Sequence, residues 1–302
     1  FLLAFKMFTI DQQVNKQYCP RFWTKRLAEN GVVQHHIKFV NSVSENVKSE
    51  IPFILDIQYG KKSTNLMDLY GVDLHQEAPI FVYIHGGYWE MLSKNESNYV
   101  AKPLWKAKIK ACIPDYDLAP KATLEEIVED VRAMAKHVLK MGVDNNVRSI
   151  WLGGHCCGAH LAASLLDESW LSELPPEYRT IFKGLVLISG IYDLQPLLKT
   201  EFNNNLKLDS SRAVTLSPLY NVKDLMQNCL LSEDFKVLAV VAQYDSPAFK
   251  EQTTVYCEKL KKVNIHVQYC QVPEVDHFDI VERLHDETYV LSQQIISLIK
   301  EN

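Results

Sequence analysis

A cysteine lies at the centre of a short segment that glycines flank on both sides. Residues 154–158 read Gly-His-Cys-Cys-Gly, which matches the G-x-S-x-G pattern with Cys156 at the serine position. In that pattern a strand turns sharply into a helix, and flanking glycines let one side chain project above the sheet. The N-terminus of a helix favours an anion, so we expect the Cys156 thiol to ionise more easily than a free thiol.

A second glycine pair, Gly86 and Gly87, follows a short apolar run. An HGG sequence after a strand supplies backbone N–H groups that stabilise a developing oxyanion. We therefore predict an oxyanion hole formed by Gly86, Gly87, Tyr88 and the N–H of Cys157. The Cys157 side chain itself is predicted to be a small packed residue. Tyr88 and Trp89 either bind an aryl group of the substrate or pack in the interior, and both interpretations stay open.

Two later residues are candidates for the acid and the base that act with this nucleophile. Asp245 lies just past the apolar run Val237–Ala242, and His277 lies in a loop after the last predicted strand. The order cysteine, aspartate, histidine is the order of the catalytic triad in α/β-hydrolases. Taken alone, Asp245 is better explained as a cap of the helix predicted from Pro247, but its place in that order favours catalysis.

The other histidines near these motifs are interpreted as structural. The turn geometry predicts that His155 points away from the nucleophile, and His160 is expected to pack within the helix that follows. His85 is expected to hold the glycine loop in place. The sequence contains no HExxH motif and no set of His and Asp residues at ligand spacing, so we expect no metal ion.

Apolar strands alternate with amphipathic helices along the chain. The helix from Leu124 to Met141 carries apolar side chains at spacings of three and four, after a capping Thr123. This alternation predicts an α/β fold of the α/β-hydrolase type, with a mainly parallel central sheet and helices on both faces. The predicted strands are Phe53–Ile57, Leu66–Tyr70, Ile80–Ile84, Lys110–Pro114, Ser149–Leu152, Gly184–Ser189, Lys236–Ala242 and Ile265–Val272.

We expect a single domain over residues 1–302. Residues 1–50 are predicted to form an N-terminal arm or lid, and residues 200–230 a loop-rich insertion. The start of the chain is not interpreted as a signal peptide, because Lys6 interrupts its apolar run and no small-residue cleavage site follows.

Composition excludes several functional classes. The 302 residues carry a net charge of −5, which argues against a basic nucleic-acid-binding protein. The longest aliphatic run, Val237–Ala242, is far shorter than the ~20 residues of a membrane span. The seven cysteines include no CxxC pair, which favours a reduced, cytoplasmic protein. We expect a small-molecule partner and, as an open alternative, association into a homodimer.

At these motifs the chain resembles the arylformamidase (kynurenine formamidase) family of α/β-hydrolases. The resemblance covers nearly the whole chain. The chain departs from the family at residues 154–158, where the family pattern is Gly-His-Ser-Ala-Gly. It implies hydrolysis of N-formyl-L-kynurenine to L-kynurenine and formate, in tryptophan catabolism, without a cofactor. It is carried by Lys16–Pro20, His85–Trp89, Lys94–Ser97, Ala119–Leu124, Gly158–Leu161, Ser189–Leu194, Asp245–Pro247 and Val275–Phe278.

The cysteine leaves two functional hypotheses. In the first, Cys156, His277 and Asp245 form a working triad that hydrolyses an aryl formamide or an activated aryl ester. In the second, the loss of serine has produced a catalytically silent relative that binds an aryl metabolite or a partner. The retained aspartate and histidine favour the enzyme.

Overall fold

A twisted eight-stranded sheet forms the centre of the molecule. The computed structural model describes residues 9–223 and 225–301. The strand order is β1-β2-β4-β3-β5-β6-β7-β8, in which β2 runs antiparallel to β1 and β4 and all other neighbours are parallel. The strands are β1 Phe53–Gln58, β2 Leu66–Tyr70, β3 Ile80–Ile84, β4 Lys110–Pro114, β5 Ile150–His155, β6 Phe182–Ile188, β7 Lys236–Ala242 and β8 His266–Val272.

An apolar core lies on each face of the sheet. Successive residues of a strand point to opposite faces, so each strand contributes side chains to both cores. On β3, Ile80 and Val82 join one apolar core, whereas Phe81 and Tyr83 join the core on the opposite face. All five residues of this strand are buried, as expected for a strand with helices above and below it. The predicted α/β-hydrolase architecture is confirmed.

Helices pack on the two faces and connect the strands. The helix predicted from Leu124 begins there, and Thr123 and Glu126 form a reciprocal capping box at its start. The helices are α1 Gln12–Tyr18, α2 Val32–Glu50, α3 Ala101–Lys106, α4 Leu124–Asp144, α5 Cys157–Ala163, α6 Glu168–Ser172, α7 Pro176–Ile181, α8 Asn203–Leu206, α9 Ser210–Thr215, α10 Pro218–Asn221, α11 Pro247–Lys262, α12 Asp279–Glu282 and α13 Val290–Lys300.

Two segments lie outside the alternating pattern. Residues 12–50, called the arm below, contain α1 and α2. Tyr18 of α1 packs into one core, and Val40 and Val47 of α2 pack into the other. Where a loop-rich insertion is predicted, the chain forms three short helices, α8 to α10, joined by loops. The side chain of Asp209 caps α9 by accepting from the Arg212 N–H. None of the helices in residues 9–223 and 225–301 combines the length and the apolar composition of a membrane span.

Candidate active site

Cys156 occupies a sharp turn between β5 and α5. Its backbone has φ 55° and ψ −117°, a conformation that non-glycine residues rarely adopt. A Cβ atom on Gly154 or Gly158 would collide with the carbonyl oxygen of Ile84 on the neighbouring strand. Only glycine therefore fits on either side of the turn, which is the physical reason for the glycines of the predicted pattern.

The surroundings of Cys156 favour its neutral thiol. Its contact with the Cys157 thiol and its burial raise the pKa of Cys156 well above the usual value, and the nearby Asp245 carboxylate acts in the same direction. Cys156 is 3% exposed. The sequence-based expectation of an easily ionised thiol is therefore wrong, because burial and anionic neighbours outweigh the end of a seven-residue helix. The thiol needs a base to lose its proton.

The loop that contains Gly86 and Gly87, called the glycine loop, lies directly against the turn at Cys156. A Cβ on Gly86 would lie 3.0 Å from Nδ1 of His155 and 3.5 Å from Cβ of Cys156. Gly87 has φ +104°, and within the described residues no group accepts a hydrogen bond from the N–H of Gly86 or Gly87. Tyr116 supports the loop from behind: its hydroxyl donates to the carbonyl oxygen of His85 at 2.9 Å. The loop thus presents two free backbone donors beside the thiol.

The two aromatic residues after the glycines have different surroundings. Tyr88 lines the cavity in front of the thiol, and its ring stacks on Phe202 with centroids 3.5 Å apart. Trp89 is fully buried and packs edge-on against His160, so the structure does not bring it to the cavity. The N–H of Trp89 donates to Sγ of Cys157 at 3.2 Å, and the Tyr88 backbone hydrogen-bonds the same sulfur. The Tyr88 N–H is therefore directed at Cys157 rather than at the cavity.

Asp245 and His277 form a buried pair at the ends of β7 and β8. Nδ1 of His277 lies 2.7 Å from Oδ1 of Asp245, and each residue is at most 3% exposed. Oδ2 of Asp245 accepts from the Ser189 hydroxyl at 2.5 Å and the Ala242 N–H at 2.8 Å. The helix-cap alternative does not hold, because Ser246 caps α11. With Nδ1 directed at Asp245, Nε2 of His277 has no partner among the described residues.

Cys156, His277, Gly87 and Tyr88 line one cavity of about 170 Å³. Ligand cavities usually measure ~300–1,000 Å³, so this one favours a ligand with a single ring. Its walls are mostly apolar and are formed by Val33, Ile37, Met91, Leu92, Phe202 and Phe278. In the described part of the chain, no group of three or more His, Cys, Asp or Glu side chains could hold a metal ion.

His155 also lines this cavity, whereas it was expected to point away from the nucleophile. Its ring centroid lies 4.5 Å from that of His277. Because β5 extends as far as His155, this side chain shares a sheet face with Trp151 and meets the loop after β8. Burial and the neighbouring His277 and His36 lower the pKa of His155 well below its usual value, so the ring is neutral. His160 is buried as predicted, with Nε2 2.9 Å from the Leu216 carbonyl oxygen.

Sequence reasoning missed the residues that the arm contributes. His36 lines the cavity, and its Nδ1 lies 2.9 Å from Oε1 of Glu282. Arg26 contacts Glu282 at 2.8 Å and Asp276, the residue before His277, at 3.0 Å. The polar periodicity of α2 contained one weak signal, a histidine on the face that also carries Val40 and Val47. Its carboxylate partner is more than two hundred positions away, so no local pattern pointed to it.

Known proteins resemble this chain over most of its length. Residues 81–279 match a family model described as alpha/beta hydrolase fold. The kynurenine formamidase of Danio rerio is 33% identical over 289 residues, which are 95% of this chain and 96% of the relative. The kynurenine formamidase of Salmo salar is 32% identical, with the same coverage.

Solved structures agree with the fold. An esterase from Pyrobaculum calidifontis superposes with a TM-score of 0.70 at 18% identity and covers 97% of this chain and 98% of its own. A structure described as an arylesterase gives a TM-score of 0.65 at 14% identity, with the same coverage. These distant structures support the architecture alone.

Proposed function

Because the chain belongs to the kynurenine formamidase family of α/β-hydrolases, we propose that it hydrolyses an aryl formamide, N-formyl-L-kynurenine, to L-kynurenine and formate. One observation carries the proposal. Cys156 lines the same apolar cavity as His277, whose Nδ1 is 2.7 Å from Asp245 and whose Nε2 is unpartnered among the described residues. A free imidazole nitrogen that shares a cavity with a thiol supports nucleophilic acyl transfer, in which the imidazole acts as the base.

In the first half of the reaction, Nε2 of His277 accepts the Cys156 proton as Sγ attacks the formyl carbon. The carbonyl π electrons move to oxygen, and the N–H groups of Gly86, Gly87 and Cys157 donate to that oxyanion. Each such donor contributes about 3 kcal/mol to the stability of the transition state. His277 then donates its proton to the aryl nitrogen, the C–N bond breaks and L-kynurenine leaves. Asp245 keeps the imidazole oriented and stabilises its protonated form.

In the second half, water hydrolyses the thioformyl enzyme. His277 accepts a proton from the water as its oxygen attacks the formyl carbon. The tetrahedral intermediate collapses with cleavage of the C–S bond, His277 returns the proton to the Cys156 sulfur, and formic acid leaves and ionises to formate in solution. No cofactor takes part in either half.

Cysteine makes protonation of the leaving nitrogen the critical step. A thiolate leaves more easily than an amine, so the first tetrahedral intermediate reverts unless His277 protonates the nitrogen. An aryl amine is less basic than an alkyl amine and leaves more readily. Formanilide-type amides are therefore within reach of this triad. Activated aryl esters, whose leaving groups need no protonation, form a second candidate substrate class.

A catalytically silent binding protein is the competing function. The raised pKa of Cys156 favours it, because a neutral buried thiol is a weak nucleophile until a base acts on it. The contact between His277 and Asp245 favours the enzyme, since it leaves Nε2 of His277 without a partner in the cavity that Cys156 also lines. We also propose a cytosolic location, in keeping with seven cysteines that are all free.

Turnover of N-formyl-L-kynurenine by the purified protein, followed by kynurenine absorbance, tests the proposal. We expect activity in the parent, a loss of at least about 10³-fold in Cys156→Ala, and full activity in Cys229→Ala, which removes an exposed thiol elsewhere. If Cys156→Ala matches the parent, the proposed mechanism is wrong. If only Cys156→Ser is active, the natural cysteine has silenced the scaffold. If the parent hydrolyses only aryl esters, the second substrate class replaces the first.

A further inference from the structure

The cavity carries two side chains of opposite charge that the proposed mechanism does not use. Arg21 of the arm and Glu90 of the glycine loop both line it together with Cys156. Oε1 of Glu90 is buried and has no hydrogen-bond partner among the described residues. Its carboxylate interacts with Asn205, a neutral side chain. A buried carboxylate oxygen without a donor costs free energy, which a ligand with a cationic donor would recover.

The charges around Glu90 leave room for a cation. Burial raises the pKa of Glu90, and the nearby Glu201 carboxylate adds to this effect. Glu201 is itself paired with Arg21, whose Nη2 lies 3.2 Å from Oε1 of Glu201. The three side chains therefore hold one positive and two negative charges, and Glu90 is the carboxylate that the guanidinium does not pair with in the described structure.

Arg21 retains donors for a second anion. Its contact with Glu201 uses Nη2 alone, and its guanidinium stacks 4.9 Å above the ring of Phe22. A guanidinium offers five N–H donors in a planar fork that suits carboxylates. Arg21 and Glu90 thus offer a free donor set and a free acceptor on the border of one cavity.

We propose that Glu90 and Arg21 form a subsite for the zwitterionic head of an α-amino acid. Glu90 binds the ammonium group and Arg21 binds the carboxylate. The inference rests on the proposed function, because it assumes that the aryl ring occupies the apolar part of the cavity with its formyl group at Cys156. It deepens that proposal by assigning the two residues that select an aryl formamide with an α-amino acid side chain over a simple formanilide. A ligand without the head leaves Glu90 unpaired, and a site of this kind discriminates strongly.

Product binding tests this subsite without requiring catalysis. L-Kynurenine carries the head, and 2-aminoacetophenone has the same aryl amine and ketone without it. Calorimetric titration of the parent should give tighter binding of L-kynurenine by about tenfold or more, the range for one charge-assisted hydrogen bond. Glu90→Gln and Arg21→Gln should each remove about tenfold from L-kynurenine binding and change 2-aminoacetophenone binding by less than about twofold.

Matched controls separate this effect from a general change in charge. Glu29→Gln and Lys25→Gln remove the same charges at exposed arm positions outside the cavity, and both should bind as the parent does. Arg21→Lys should retain part of the preference, since it keeps the charge and loses the planar fork. Circular dichroism establishes that each variant is folded.

The outcomes for the subsite and for catalysis are distinguishable. Equal binding of the two ligands by the parent, no binding of L-kynurenine, or an unchanged preference in Glu90→Gln overturns the subsite. If the preference depends on Glu90 but the parent turns over no formamide, the subsite stands and the proposed hydrolysis is wrong. If the parent hydrolyses N-formyl-L-kynurenine and formanilide equally well in every variant, hydrolysis stands and the subsite is wrong.

Discussion

Two histidines that line the same cavity are each held by a carboxylate, and the two pairs are built differently. His277 and Asp245 come from the loops that end β7 and β8, with Nδ1 and Oδ1 2.7 Å apart. His36 of the arm meets Glu282 of α12 at 2.9 Å. Both histidines are less than a tenth exposed and both line the cavity. Distance and burial alone do not tell the pairs apart.

The charges around each carboxylate distinguish the two pairs. Apart from His277, Asp245 accepts from a hydroxyl and a backbone N–H, so its negative charge remains available to a protonated imidazole. Glu282 is already neutralised by Arg26 at 2.8 Å, and the same arginine reaches Asp276. The first pair is thus suited to catalysis, and the second attaches the arm to the loop that holds His277. A carboxylate that is already paired with a guanidinium is a poor partner for a catalytic imidazole.

The largest expected effect separates the two carboxylates. Asp245→Asn should lower kcat by about 10³–10⁴-fold, because an amide favours the wrong imidazole tautomer and does not stabilise the imidazolium. Glu282→Gln should lower kcat by less than about tenfold, since its histidine takes no proton from Cys156. Steady-state kinetics with N-formyl-L-kynurenine measure both. Equal losses in the two variants would mean that the pairs share one catalytic role.

Backbone conformation offers a second way to compare the sheet loops with the arm. In Gly87→Ala the new Cβ would collide with the Met91 carbonyl oxygen at a φ of +104°, which strains the loop and displaces its N–H donors. We expect kcat to fall by about 10²-fold.

Gly31→Ala is the matched control in the arm. Gly31 precedes α2 with φ −111°, and a Cβ there would meet only the Ala28 carbonyl oxygen at 3.7 Å. Its kcat should equal that of the parent. A kcat of Gly87→Ala within twofold of the parent would remove this loop from the proposed oxyanion hole.

The smallest catalytic effect is expected from separating the arm from the His277 loop. Arg26→Gln leaves Asp276 and Glu282 buried without their cation, side chains that are 2% and 4% exposed. Breaking a buried pair costs ~3–5 kcal/mol, and the partial exposure of Arg26 reduces the expected loss of unfolding free energy to about 2 kcal/mol. Urea denaturation measures this loss, whereas kcat should change by less than about tenfold. Lys106→Gln, in an exposed pair with Glu287, should leave the urea midpoint unchanged.

The same variant has a distinct pH signature. Burial tends to raise the pKa of Asp276, but hydrogen bonds from Thr24 and backbone N–H groups, together with Arg26, lower it to about 2. A carboxyl group whose pKa is lower in the folded state stabilises the fold at pH values above its unfolded pKa, ~3.9. This stabilisation is lost as the pH falls toward 2. The stability gap between the parent and Arg26→Gln should therefore narrow between pH 4 and pH 2. A constant gap over that range would exclude Arg26 as a cause of the lowered pKa.

Local pattern predicted the sheet closely and was least accurate at the glycines of β5. The strands predicted at Ile80–Ile84 and Lys110–Pro114 are observed with those bounds. β5 continues past its predicted end at Leu152 as far as His155, because Gly153 pairs with Tyr83 on one side and with Val186 on the other. Pairing on both edges outweighs the low strand propensity of glycine. The extension directs His155 into the cavity.

Short-range signals in the sequence predicted the buried strands, the capped helix from Leu124, the glycines around Cys156 and the loops that carry Asp245 and His277. Strand ends in a parallel sheet meet at one edge, so the order of these motifs was enough to bring them together. Three properties arise only in the folded chain: the raised pKa of the Cys156 thiol, the burial of Trp89 in the core, and the position of His36 and Arg21 of the arm at the cavity. These properties depend on burial and on contacts between residues far apart in the chain, and no local spacing encodes them.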